Sequence, residues 1–269
     1  MDKTAEFVPV SFGIRLRSML KVDFRRMFKS KLFYIVIACS LVLPILITVM
    51  MTMMDGSVSV DPQTGVETVV HGPENAWQSI GTLPGGEAMG GMDIMSMCSI
   101  NMMFLFAAVF ICLFISEDFK SGYAKNLFTV RAEKSDYVVS KTVSGFLCGA
   151  LMLIFYFIGA MLGGAVSGLS FDLGTLNAGN IVLCMLSKIF LMPVFISIFV
   201  LISAAAKQKT WLALCGSLGG GMLLFMMTSM ITPLSSTLMN VLLCLAGGAL
   251  FAVGLGAASN AVLRKTSLV

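Results

Sequence analysis

The sequence predicts an all-α membrane protein with six transmembrane helices, an N-terminal amphipathic interfacial helix and both termini in the cytoplasm. Its composition is 57% hydrophobic and 12% charged, which leaves too few polar residues to cover a water-soluble globule. Six apolar runs are each long enough to cross, as a helix, a hydrocarbon core about 30 Å thick. Every lysine and arginine except Lys188 lies in alternating segments that share one side of the membrane. Basic residues resist translocation, so that side is the cytoplasmic one.

The six apolar runs form one predicted domain, residues 32–269, preceded by a cytoplasmic amphipathic region at residues 1–31. Backbone groups in lipid must be satisfied within the segment, and the runs are too long for barrel strands, so helix is the expected state. The first run exceeds a signal-peptide core and lacks an obvious small-residue cleavage site, so we expect it to remain. The predicted spans are 32–54, 94–115, 142–168, 181–206, 211–231 and 239–263.

The segment before the first span has the pattern of a basic amphipathic helix. Apolar residues recur at the spacing of one helical face, and Asp23 interrupts that face. A basic stripe at four-residue steps lies on another face and comprises Arg17, Lys21, Arg25 and Lys29. Such a helix is expected to lie in the cytoplasmic interface with its cations toward anionic lipid. It either only orients the first span or also docks a cytoplasmic partner.

The connection after the first span, residues 55–93, is a long outer loop rich in proline and glycine. A loop of this length is either functional or without fixed structure. Alternating residues at 65–70 predict a short hairpin with residues 57–60. The single histidine, His71, lies in this loop, where we expect it to be solvated rather than a metal ligand. The seven cysteines all lie in predicted spans, so we expect apolar packing and neither disulfides nor a metal site.

The cytoplasmic connection at residues 116–141 begins with an unusual concentration of charge and aromatic residues. Two carboxylates, Glu117 and Asp118, directly follow the second span, and short helical turns flank Gly122. Phe119, Tyr123 and the aromatic and aliphatic residues after them are costly to leave in water. The segment is therefore predicted to bind a protein, although a solvated turn joining two helices is the alternative.

A span that ends in Ser-Glu-Asp-Phe-Lys-Ser-Gly-Tyr-Ala-Lys-Asn-Leu, residues 116–127, resembles the signature of type-2 ABC transporter permeases. The basic helix that runs into the first span resembles the elbow helix of the same family, and six spans with both ends inside also match. The similarity extends to permeases that export peptide toxins and antimicrobial peptides. One feature departs from the family pattern, since many members place their large outer insertion between the fifth and sixth spans rather than after the first.

This resemblance implies a dimer of permeases, formed with a second copy or a sister chain, above two cytoplasmic ABC ATPase subunits. A coupling helix would receive the ATPase motion through Glu117, Asp118, Phe119, Lys120, Gly122, Tyr123, Lys125 and Asn126. The link after the fourth span would form a shorter second contact through Lys207 and Lys209. The sequence has no G-x-x-x-x-G-K-[ST] loop, so we expect no cofactor on this chain, with ATP and Mg²⁺ bound by the separate ATPase.

Lys188 is the sole acidic or basic residue inside a predicted span. A charge inside the membrane is expensive and usually marks a pathway or a partner. Lys188 lies about 10 Å below the outer end of the fourth span by helical rise. It either snorkels to the outer interface as an anchor or faces a cavity between permeases. Asn101 and Tyr156 are further candidates for a substrate pathway, or else hydrogen-bond between helices.

The expected function is therefore an export permease in a bacterial cell membrane, not itself an enzyme. An apolar lumen suits an amphipathic or hydrophobic cargo, and a peptide toxin or antimicrobial peptide is favoured. The alternatives are a small-molecule or multidrug permease and a non-transporting scaffold. An ion-coupled carrier would need carboxylates in its spans, and an intramembrane enzyme would need catalytic groups there. The net charge of +4 follows from membrane orientation, so no nucleic-acid partner is expected.

Overall fold

Eight α-helices, one 3₁₀ helix and one small antiparallel hairpin are the regular elements in the part of the chain that the structure describes. This computed structural model describes residues 11–60, 67–69, 72–81, 99–130 and 134–265. The elements are α1 Phe12–Lys29, α2 Lys31–Met53, β1 Val58–Val60, β2 Glu67–Val69, a 3₁₀ helix Ala76–Ser79, α3 Met102–Lys120, α4 Tyr123–Val130, α5 Ser135–Val166, α6 Ala178–Ala206, α7 Thr210–Ile231 and α8 Leu238–Lys265.

Six of these helices, α2, α3, α5, α6, α7 and α8, are long and apolar enough to cross a membrane. Each corresponds to one predicted apolar run, which confirms the all-α, six-span architecture within the described residues. The helix α1 precedes them as a separate amphipathic element. It buries Met19, Asp23 and Met27 on one face and ends at Ser30, whose extended backbone separates it from α2.

Two span boundaries differ from the sequence prediction. The second span was expected to begin at residue 94, but residues 99–101 form a turn and α3 begins at Met102. Residues 94–98 lie outside the described part of the chain. The helix of the third span, α5, begins at Ser135, near the expected N-cap and ahead of the apolar run 142–168, because Tyr137 and Lys141 are buried and continue its inner face. Hydropathy marks where a segment turns apolar, whereas these helix ends depend on tertiary contacts.

Glycines on α5 allow α2 to approach it closely. A Cβ added at Gly159 would lie 2.2 Å from the Leu41 carbonyl oxygen of α2, and one at Gly163 would lie 3.0 Å from Ile45 Cα. Their four-residue spacing places both glycines on one face, the arrangement that permits close packing between membrane helices. On α8, Gly248 meets the Phe190 carbonyl oxygen of α6 in the same way, at 2.4 Å from the added Cβ.

Part of the loop after α2 is folded onto the connection between α5 and α6. The predicted hairpin is confirmed, with Val58 opposite Val69 and Ser59 opposite Thr68. Further along, Asn75 forms a bridge with Ser170, and Trp77 Nε1 donates to the Phe171 carbonyl at 3.1 Å. The 3₁₀ helix is thereby fixed to the C-terminal end of α5. The solvated state predicted for His71 concerns a residue outside the described ranges.

The α2–α5 contact predicts a specific sensitivity to side-chain size. Gly159→Ala should lower stability by about 1–3 kcal/mol, since its methyl group would overlap the backbone of α2. Thermal unfolding of the purified protein in detergent measures this loss. Gly247→Ala is the matched control, because nothing lies within 4 Å of a Cβ added there. Equal unfolding temperatures for the two variants would contradict the close packing.

Candidate functional site

The candidate site lies at one end of the helical bundle, which we call the basic end. It comprises α1, α4, the last turns of α3, α6 and α8, and the first turns of α2, α5 and α7. Contacts between these segments bring them together, among them a hydrogen bond of 2.6 Å from Lys134 Nζ to the Leu263 carbonyl. The predicted coupling and elbow residues all lie at this end, whereas Lys188, Asn101 and Tyr156 lie elsewhere in the bundle.

A buried cluster of ion pairs joins α1, α3 and α5 at the basic end. Lys141 of α5 holds two carboxylates at once, with its Nζ 2.8 Å from Asp23 Oδ1 of α1 and 2.7 Å from Asp118 Oδ2 of α3. Arg26 of α1 lies 2.6 Å from the other Asp118 oxygen. Asp23, Asp118 and Lys141 are all completely buried. We refer to Asp23, Arg26, Asp118 and Lys141 as the ion-pair cluster.

Hydroxyl groups and aromatic rings complete the surroundings of the ion-pair cluster. Ser140 Oγ donates to Asp23 Oδ2 at 2.5 Å, and Tyr137 OH donates to Asp118 Oδ2 at 3.0 Å. The Lys141 ammonium lies 4.0 Å from the centroid of Phe114, within the range of a cation–π contact. Each buried charge therefore has several polar or aromatic neighbours, and the two carboxylates balance the two cations.

Arg26 also connects the cluster to the short helix α4. Its guanidinium lies 4.2 Å from the ring centroid of Tyr123, the first residue of α4. Burial is the largest influence and acts to lower the pKa of Arg26, but the charge and hydrogen bond of Asp118, together with Asp23 and Tyr123, outweigh it and raise this pKa above its ordinary value. Arg26 therefore stays charged at any physiological pH. Arg26 thus holds α4 against α1 and α3 with a positive charge that does not depend on pH.

The predicted coupling segment has an exposed face, which we call the outer face, and a face buried against the other helices, which we call the inner face. Glu117, Lys120, Lys125 and Asn126 are exposed. Between the end of α3 and the start of α4, Gly122 adopts φ +75°, a conformation that favours glycine and permits the sharp turn. The outer face thus presents charges of both signs on two successive helical segments at the basic end.

Asp118 and Phe119 belong to the inner face, which corrects one feature of the prediction. Phe119 is 7% exposed and packs edge-on against Tyr137, with 6.5 Å between ring centroids. Neither side chain is placed to touch a partner directly, because each lies inside the chain's own helical packing. Tyr123 is partly buried under Arg26. Any coupling role for Asp118 and Phe119 would be indirect, through the position of the helices.

The remaining predicted residues of the basic end lie at its surface. The elbow stripe is exposed at all four positions, Arg17, Lys21, Arg25 and Lys29. Lys209 is exposed, while Lys207 is partly buried and has φ 54°, a left-handed conformation uncommon for residues other than glycine. These two lysines form the link between α6 and α7, next to the start of α7 at Thr210.

Lys188 adopts neither of the two arrangements considered from sequence. Its side chain is fully buried, so it does not snorkel, and within the described chain it contacts other helices rather than an open cavity. Its Nζ donates to Asn101 Oδ1 at 2.7 Å, to Thr232 Oγ1 at 2.9 Å and to the Thr232 carbonyl at 3.3 Å. Thr232 is the C-cap residue that follows α7, and the carbonyl dipoles at this helix end favour a cation. Asn101 is thus an interhelical hydrogen-bonding residue, and Tyr156 is buried.

Three members of the ion-pair cluster, Asp23, Arg26 and Lys141, were not among the predicted site residues. The signal for Asp23 was its position on the apolar face of α1, where an isolated carboxylate requires a buried cation. Lys141 directly precedes the apolar run of the third span and reads as part of a solvated connection. No local pattern in the sequence links Asp23 to Lys141, because the two residues are 118 positions apart in the chain.

Comparison with known proteins yields one family. The model of the family described as "ABC-2 family transporter protein" matches residues 19–223. This range begins within α1, includes the whole ion-pair cluster and extends into α7. No curated protein and no solved structure matches the chain.

The ion-pair cluster predicts unequal effects for two adjacent carboxylates. Asp118→Asn should cost about 3–5 kcal/mol of stability, because Arg26 and Lys141 lose their shared partner inside the protein. Glu117→Gln, the neighbouring exposed control, should leave stability within about 0.5 kcal/mol of the parent. Thermal and chemical unfolding in detergent compares the variants.

A double-mutant cycle checks the cause of this loss. Adding Lys141→Met to Asp118→Asn should destabilise less than the two single changes together, since it removes a cation that has lost one of its partners. Strict additivity would mean that Asp118 and Lys141 do not interact as the structure describes.

Proposed function

The chain belongs to the ABC-2 family of transporter proteins, and on that premise we propose that it is the membrane-spanning permease of an ATP-driven exporter. Membership in this family identifies the chain as a multi-pass permease, whereas the direction of transport and the partner are parts of the proposal. ATP and Mg²⁺ would bind to a separate cytoplasmic ABC ATPase. Two permeases, either two copies or this chain with a sister chain, would stand above two ATPase subunits in a bacterial cell membrane.

The outer face of α3 and α4 supports this proposal most directly. The last turn of α3 presents Glu117 and Lys120, and the short helix α4 presents Lys125 and Asn126, so charge and hydrogen-bonding groups of both segments are exposed at the basic end. Lys209, at the start of α7, supplies a second exposed cation at the same end. Complementary charges across an interface favour correct docking and disfavour wrong partners. This surface is the proposed seat of the ATPase.

The ion-pair cluster supplies a physical route for the proposed coupling. A displacement of α4 acts on Tyr123, which stacks on Arg26, and Arg26 is paired with Asp118 of α3. Lys141 extends the same contacts to α5. Buried ion pairs with short contacts resist separation, because a lone charge left in the interior is strongly disfavoured. Movement of the short helix would therefore be passed to α1, α3 and α5 together.

The proposed cargo is an amphipathic or hydrophobic molecule, with a peptide toxin or antimicrobial peptide favoured over a small drug. The described spans are apolar, and the polar groups identified inside them, such as Lys188 and Asn101, are bonded to each other. An interior of this kind suits cargo that presents apolar surface. ATPase activity measured with an amphipathic cationic peptide and with a lipophilic drug distinguishes the two classes, since the cargo should stimulate it. If neither compound is transported, the result favours the non-transporting scaffold.

The orientation in the membrane forms a separate part of the proposal, with both termini and the basic end in the cytoplasm. In a variant lacking the native cysteines, Ser57→Cys should react with an impermeant thiol reagent in intact cells. Ser121→Cys should react only after the cells are opened. Both positions are exposed in the structure, so access to water decides the result. Labelling of residue 121 in intact cells would show the opposite orientation, in which a cytoplasmic ATPase could not reach the coupling surface.

A charge reversal on the outer face tests ATPase docking. Lys125→Glu combined with Lys209→Glu should reduce the amount of ATPase that co-purifies with the permease at least about tenfold, since like charges across an interface cost several kcal/mol. Both positions are exposed, so the change leaves the helical packing intact. Pull-down of the tagged permease, together with transport into inverted vesicles, provides the measurement.

The matched control reverses two other exposed cations of the basic end, Arg17→Glu and Lys21→Glu on α1. It carries the same change in net charge and should retain the ATPase. Equal loss in both double variants would indicate a diffuse electrostatic attraction rather than a docking surface. Full retention and full transport in the Lys125/Lys209 variant would exclude the proposed seat.

A further inference from the structure

A cavity of about 630 Å³ lies at the basic end, between the end of α1, the last turns of α3 and the starts of α2 and α7. Its polar lining comprises chiefly Arg25, Arg26, Lys29, Ser116, Lys120 and Thr210. We propose that this cavity binds the headgroup of an anionic phospholipid. The lipid would bind to the permease by itself, independently of the proposed ATPase and cargo.

The charges around the cavity favour an anion. Arg25, Lys29 and Lys120 are exposed cations without an ion pair among the described residues, while Glu117 is the acidic group in the lining. Arg26 adds a fourth cation that is held in place by Asp118. An excess of fixed positive charge at the rim of a membrane span attracts the negative headgroups of the adjacent leaflet.

Unsatisfied buried donors provide the second, independent observation. Arg26 Nη1, Ser116 Oγ and Thr210 Oγ1 are buried and have no hydrogen-bond partner in the described part of the chain. Ser116 is 2% exposed, and all three residues line the same cavity. Buried polar groups in proteins are nearly always hydrogen-bonded. A phosphate oxygen in the cavity would accept from the guanidinium and from both hydroxyl groups.

Helix termini at the cavity add to this preference for an anion. The helix α2 starts at Lys31 after Ser30, which lines the cavity, and α7 starts at Thr210. Neither Ser30 nor Lys209, the residues that precede these helices, makes a side-chain capping hydrogen bond. The first turn of each helix therefore has N–H groups and a positive dipole end without a capping side chain.

The apolar part of the lining indicates a lipid rather than a free phosphate compound. Leu32 belongs to the first turn of α2, and Leu113 and Phe114 belong to α3, so that wall is continuous with two membrane-spanning helices. An acyl chain leaving the headgroup could follow these side chains into the bilayer. A free phosphate would gain nothing from this apolar wall, because its whole surface is polar.

Native mass spectrometry of the full-length permease, purified with a 1:1 mixture of phosphatidylglycerol and phosphatidylcholine, tests the proposal. The parent should retain one phosphatidylglycerol in preference to phosphatidylcholine. Arg25→Gln combined with Lys29→Gln should reduce this retention at least about tenfold, since charge-assisted hydrogen bonds dominate phosphate recognition. Ser116→Ala, which removes only one unpartnered hydroxyl, should reduce it about threefold.

Arg17→Gln combined with Lys21→Gln is the matched control, with the same loss of charge on the same helix but outside the cavity lining. It should retain phosphatidylglycerol like the parent. Equal loss in both double variants would overturn the cavity site in favour of general attraction to the membrane. Displacement of the lipid by millimolar inorganic phosphate would instead assign the site to a free anion. Unchanged retention in the cavity variant, with loss of a bound protein, would make the cavity a protein-docking groove.

Discussion

The burial of Asp118 imposes the condition on which the basic end is built. A carboxylate inside a low-dielectric interior requires a cation in direct contact, and Asp118 meets this requirement through Arg26 and Lys141. Lys141 in turn requires Asp23, which fixes the rotation of α1 about its axis and turns its basic stripe outward. With Asp118 directed inward, Glu117 and Lys120 fall on other sides of α3, where both are exposed. The division between interior contacts and exposed surface follows from that single orientation.

Elsewhere in the bundle, contact between helices rests on the absence of side chains rather than on charge. The glycines at 159 and 163 bring α5 against the backbone of α2, and Gly248 does the same for α8 and α6. In lipid there is no hydrophobic force to press helices together, so close van der Waals contact must supply the attraction. Ion pairs and hydrogen bonds join the helices near the ends of the bundle, whereas close backbone contacts at glycines join them elsewhere. The two kinds of contact make different demands on the sequence.

The sequence predicted the number and approximate positions of the spans because hydropathy depends on each segment alone. Residue spacing also indicated the helical face of the basic stripe, and all four of its residues are exposed on α1. The inward direction of Phe119 and the depth of the Lys141 contact could not be predicted, because both depend on helices distant in the chain. Lys188 was recognised as exceptional, but its partners, Asn101 and Thr232, are separated from it by 87 and 44 positions. Asp23 carried a local signal, although only the structure supplies its partner.

The helix α3 takes part in polar contacts at both of its ends. Asn101 directly precedes it and accepts from Lys188, while Asp118 lies in its last turn within the ion-pair cluster. The two positions are about 26 Å apart along an α-helix. A helix held by polar contacts at both ends cannot slide freely past the helices that it contacts. A displacement at one end of α3 would therefore reach the other end as tilt or rotation of the helix, where Lys188 of α6 and Thr232 at the end of α7 are in the same hydrogen-bonded group.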